Sequence, residues 1–68
     1  MYIMNQDENA MYDTEEFWGI ISEDCKIKGL LSDGEIVLGT YQTHEKACDI
    51  LMDIFIQMDN TRFQMPII

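Results

Sequence analysis

The last third of the chain repeats apolar side chains at helical spacing. Ala47, Ile50, Leu51, Ile54, Phe55 and Met58 stand at i, i+3, i+4, i+7, i+8 and i+11, the pattern of one buried helix face. Thr43 offers a side-chain oxygen to the first free backbone N–H groups, and Glu45 in the first turn complements the helix dipole. The spacing predicts a helix over 44–59, ending near Asn60. Upstream the period changes to two. Across 25–31, Cys25, Ile27 and Leu31 point one way and Lys26 and Lys28 the other. Residues 36–41 are rich in β-formers, and Ser32-Asp33-Gly34-Glu35 predicts a hairpin turn with Gly34 at positive φ. Three more short strands are predicted at 2–5, 10–13 and 17–22, separated by Gln6-Asp7-Glu8-Asn9 and Thr14-Glu15-Glu16. Ser22-Glu23-Asp24 turns the third of these into the fourth strand. A last strand is predicted over 62–67, with Pro66 holding it to a sheet edge or a strand end. Strands in sequence joined by short turns predict an antiparallel meander with the helix on one face. The expected class is α+β: about five short strands, one amphipathic helix and a short C-terminal strand in one domain spanning 1–68.

Composition changes this picture in two ways. A domain of this size buries a modest fraction of its surface, and neither a disulfide ladder nor a zinc motif supplements the core. At 47% hydrophobic residues, packing and self-association remain as supplements. The second change is charge. Thirteen acids against four bases leave a net charge of −9. The first 25 residues hold Asp7, Glu8, Asp13, Glu15, Glu16, Glu23 and Asp24 with no Lys or Arg, whereas the rest sets six acids against Lys26, Lys28, Lys46 and Arg62. Such a field repels nucleic acid and anionic membrane and attracts basic partners. The two cysteines, Cys25 and Cys48, form no CxxC or Cys/His cluster, and neither a basic leader nor a long apolar run is present. The expected setting is the cytoplasm of a bacterial host, with both thiols reduced and no membrane span.

Several short stretches fit one pattern: Ile3, Asn5, Gln6 and Asp7 near the start; Leu38-Gly39-Thr40-Tyr41; Thr43, Glu45 and Ala47; and Phe63, Met65 and Pro66. Together they span most of the chain and resemble a family of small uncharacterised proteins of Firmicutes bacteria, their phages and mobile elements. That family shows an I-x-N-Q-D start, an L-G-x-Y strand end, a T-x-E-x-A helix start and an aromatic-x-M-P terminus. The central residues Phe17-Trp18-Gly19-Ile20 and Cys25 depart from it. The resemblance implies a phage or mobile-element accessory protein and carries over no active site.

The residues point to binding rather than catalysis. The only histidine, His44, sits beside the helix cap with no Ser or Cys patterned with it, and the four glycines stand apart, so no phosphate loop forms. Asp13-Thr14-Glu15-Glu16 lacks the spacing and central glycine of a calcium loop. No cofactor and no metal is expected. On the helix, Glu45, Asp49 and Asp53 recur at i, i+4 and i+8, about 6 Å apart. Like charges there cost roughly 0.2–0.5 kcal/mol per pair. Such acids can serve solubility alone; read as a partner surface, Glu15, Glu16, Glu23, Asp24, Glu45, Asp49 and Asp53 are the expected contact set for a basic partner, such as a host nuclease or another nucleic-acid-binding defence protein. In this anti-CRISPR-like, DNA-mimicking role carboxylates stand in for phosphates. Cys48, Met52 and Ile56 flank the core stripe, where they either widen the core or form a homodimer seam. Trp18, Phe17 and Tyr12 are read as core residues, with a partner anchor as the other role. The alternatives are an oligomeric sponge for a nucleotide signal, for which Lys26 and Lys28 are the only basic pair, and a structural or regulatory oligomer.

Overall fold

The computed structural model describes residues 1–67. Their order is β1 (Tyr2–Met4), β2 (Met11–Asp13), a 3₁₀ turn (Thr14–Glu16), β3 (Gly19–Glu23), β4 (Lys26–Leu31), β5 (Gly34–Thr40), α1 (His44–Ile56) and β6 (Arg62–Gln64). The α+β class, the five strands before a single helix and the short final strand are as the sequence predicts. The sheet is divided. β3, β4 and β5 form the antiparallel meander, while β2, β1 and β6 form a second three-stranded sheet in which β6 runs parallel to β1. Two local causes divide it. The 3₁₀ turn after β2, capped by the Asp13 carboxylate accepting from Glu15 N, redirects the chain before β3 can pair with β2. β1 and β6 are joined through β2 to β5 and the helix, a connection long enough for a parallel pair, and α1 returns the chain to the side of β1.

α1 starts where predicted, with the Thr43 hydroxyl accepting from Lys46 N at 3.0 Å. It stops at Ile56, short of the expected 59, and turns through Gln57–Asn60 with Asn60 N donating to Gln57 O. The left-handed backbone also lies elsewhere than expected. Gly34 opens β5 and no described glycine has positive φ; Glu8 (φ 59) and Asp24 (φ 55) do. Asp24 sits in the two-residue link between the paired Glu23 and Lys26, where a short polar side chain tolerates that conformation.

One core joins both sheets to the helix. Ile3 lies between Tyr12 and Phe63 in its own sheet and meets Ile27, Leu38, Ala47, Ile50, Ile54 and Met65 in the interior. A β-bulge between Ile27 and Lys28 of β4 leaves Leu38 without a register partner, which turns it into this core. The bulged strand is tied down by the β1–β2 loop: Gln6 N donates to Leu38 O and Thr40 N to Gln6 Oε1, both at 2.8 Å. Two glycines are demanded by close approach. A Cβ at Gly29 would lie 2.6 Å from the Phe17 ring, and one at Gly39 would lie 2.7 Å from the Tyr41 hydroxyl. Phe17 and Tyr12 also meet, with ring centroids 6.1 Å apart, on the flank of the core.

Tyr41 closes the core over the C-terminal segment, its hydroxyl donating to Pro66 O at 2.9 Å. Burial pushes its phenol from 10.0 up to about 12. The folded chain thus holds this proton more tightly than the unfolded chain. Its contribution is complete below the unfolded value and declines as pH rises from about 10 towards about 12. Tyr41→Phe is expected to remove that part of the alkaline loss and to cost about 1 kcal/mol at neutral pH, through the lost hydrogen bond. Urea midpoints of both proteins across this pH range test it; parallel alkaline declines would contradict it.

The predicted helix stripe is wider than the surface available to cover it. Ala47, Ile50 and Ile54 are buried and Leu51 is partly so, but Phe55 and Met58 stand exposed. Two short three-stranded sheets cover only part of the arc, and that shortfall shapes the surface described next.

Candidate functional site: an apolar groove with an acidic rim

α1 lies across β3 and β4. Beside it, a groove of about 720 Å³ runs between the uncovered helix arc and the segment 14–20. Cys48, Met52 and Phe55 form one wall and Glu15, Phe17 and Trp18 the other. Trp18 is not a core residue: it is 73% exposed, Phe55 is 71% exposed and Ile56 70%. Its position is nevertheless set at two points, because its backbone N donates to Leu30 O at 3.0 Å and its indole Nε1 to Leu31 O at 3.1 Å. A large aromatic side chain exposed to water and anchored at its polar end is a preorganised contact surface. Among the described residues, no helix is long and apolar enough to cross a membrane.

Most of the predicted acids stand outside this groove. Glu15 lines it and Glu16 follows in the same turn. Glu45, Asp49 and Asp53 occupy the outer helix face beside Met52 and Ile56, and all five residues are exposed. Asp24 marks the start of the helix, because His44 Nδ1 hydrogen-bonds to its backbone carbonyl at 2.6 Å. Glu23 departs from the set. The Lys28 ammonium pairs with both Glu23 and Glu35 on the outward face of the meander. The hydrogen bond donated by Lys28 holds the Glu23 carboxyl below its usual range, and the bonds Lys28 donates to Glu23 and then to Glu35 hold its own ammonium above its usual value. Both carboxylates stand in water, so the pairs are screened by salt. These two are the ion pairs among the described residues, leaving the other six predicted acids with no cationic partner there. Lys28 is also half of the basic pair that a nucleotide sponge would use, and it is engaged.

Of the predicted seam, Met52 and Ile56 are exposed, whereas Cys48 is half-buried. Contrary to the expectation that no Cys or Ser is patterned with His44, a thiol lies near its ring and a hydroxyl near that thiol. His44 Nε2 lies 3.4 Å from Cys48 Sγ, which in turn lies 3.6 Å from Ser22 Oγ. The H-x-x-x-C spacing, one helical turn, carried that signal. Cys25 takes no part, its thiol facing Gln42 O at 3.9 Å. No family model, curated protein or solved structure matches the chain, so its functional reading rests on the groove and the charges around it.

Proposed function

We propose that this chain is a non-enzymatic binding protein that docks on a basic, nucleic-acid-binding surface of a partner protein. An apolar side chain of the partner fills the groove, and its Lys and Arg residues meet the acidic rim. In a phage or mobile-element setting the partner is a host defence protein, whose cation-lined cleft the carboxylates occupy in place of phosphates. The observation that supports this reading is an anchored, exposed aromatic surface lining a groove with Glu15, next to a helix face whose carboxylates have no cationic partner among the described residues. Exposed apolar patches rimmed by charge are characteristic of interaction sites. A second copy of the chain fits less well, because a two-fold contact would bring like-charged rims together.

Trp18 is the chain's sole tryptophan and stands on the groove, so its emission reports occupancy. Titration with a short amphipathic Lys- and Leu-rich helical peptide is expected to shift that emission to the blue, with affinity falling as salt is raised. The triple variant Glu45→Gln, Asp49→Asn, Asp53→Asn is expected to bind on the order of tenfold more weakly, three rim charges at about 0.5 kcal/mol each. Its circular dichroism should be unchanged. Unaltered affinity in a folded triple variant would remove the electrostatic basis of the proposal.

A further inference from the structure

The His44–Cys48 contact carries an inference independent of protein docking. A backbone carbonyl only accepts hydrogen bonds, so the 2.6 Å contact with Asp24 O places a proton on His44 Nδ1. In the neutral ring Nε2 is then the bare nitrogen, and the thiol 3.4 Å away donates to it. With the Cys48 proton committed there, Ser22 Oγ donates to the sulfur. The result is one directed chain: Ser22 hydroxyl to Cys48 thiol to His44 imidazole to Asp24 carbonyl. A nucleophile beside a base, with the base oriented by a third group, is the arrangement that activates a thiol. Among the described residues Cys25 has no such neighbour, and its sulfur faces the Gln42 carbonyl oxygen. Cys48 also opens onto the apolar groove.

We propose that Cys48 and His44 form a nucleophile–base pair that accepts an acyl group from an apolar thioester, with the acyl chain lying along the groove. The Cys48 sulfur attacks the acyl carbon and a new S–C bond forms, while the thiol proton passes to His44 Nε2. The hydrogen bond from Nδ1–H to Asp24 O supports the charged ring in that interval. The donor's C–S bond breaks, and its departing sulfur keeps the electron pair and takes the proton from His44. One thioester replaces another and a thiol is released, so no oxidant or reductant is needed. Met52, Phe55 and Trp18 give the chain an apolar path away from the sulfur. The acidic surface disfavours an anionic donor, so a neutral one is the appropriate probe.

The test uses the full chain with octanoyl and acetyl thioesters of N-acetylcysteamine, followed by intact mass and peptide mapping. Octanoyl transfer is expected at Cys48 on the order of tenfold faster than at Cys25, and faster than acetyl transfer at the same residue. His44→Ala, checked for folding by circular dichroism, is expected to slow acylation of Cys48 by a factor on the order of 10² and to leave Cys25 unchanged. Three results overturn the proposal: Cys25 reacting as fast as Cys48, acetyl transferring as fast as octanoyl, or a folded His44→Ala variant retaining the parent rate. Should that variant fail to fold, the comparison of the two cysteines and two donors in the parent chain decides alone.

Discussion

Replacing Ile54 with alanine is expected to leave most of the chain unfolded under conditions where the parent is folded. Ile54 is 1% exposed and projects from α1 into the core shared by both sheets. Removing its buried methyl and methylene groups costs about 2–5 kcal/mol, the upper end applying where neighbours cannot collapse into the space. Here they cannot readily do so, because the neighbouring Ile3, Ile27 and Leu38 are held in paired strands and beside a bulge. For a chain of 68 residues, total stability is roughly 3–10 kcal/mol. One cavity therefore removes a large share of it. Far-UV circular dichroism and the urea midpoint measure the effect; a midpoint within error of the parent would mean that α1 is not anchored through this residue.

The residue beside it is expected to behave in the opposite way. Phe55→Ser should weaken binding of the Lys- and Leu-rich peptide on the order of 30-fold, about 2 kcal/mol, the loss typical of an anchoring aromatic in an interface. Its stability should stay within about 0.5 kcal/mol of the parent, as for surface substitutions away from special features, because the Phe55 ring already stands in water. Trp18 emission follows the binding and urea denaturation the stability. A folded Phe55→Ser protein that binds as the parent does would show that the groove is not the docking surface. A large stability loss would show that the ring belongs to the core, contrary to its exposure. Together the two substitutions separate the face of α1 that holds the fold from the face that is free to act.

The short motifs at 3–7, 38–41, 43–47 and 63–66 are for the most part occupied with architecture. The Asn5 side chain accepts from the backbone N–H groups of Asn9 and Ala10, closing the β1–β2 loop. Gln6 ties that loop to β5, Thr43 caps α1, and Pro66 receives the Tyr41 hydroxyl. Met65 is fully buried. The groove instead draws on Trp18 and on helix positions Met52 and Phe55, which lie outside those motifs.

Local pattern was sufficient for what depends on near neighbours along the chain. The 3.6-residue period and the Thr43 cap placed α1, alternation placed Lys26 and Lys28 on the outward face of β4, and the acids at i, i+4 and i+8 gave a stripe on α1. Those features follow from backbone geometry that each segment carries with it. Tertiary structure alone decided which part of the apolar arc would be covered, because that depends on how much sheet surface returns to meet the helix. It decided that β6 would cross over to pair with β1 rather than extend the meander. It placed Trp18 in water, drew Glu23 into a pair with Lys28, and set the Asp24 carbonyl against His44. The strand crossover, the Trp18 anchor and the Asp24–His44 contact join segments distant in sequence, and periodicity within a segment holds no information about the surface it will meet.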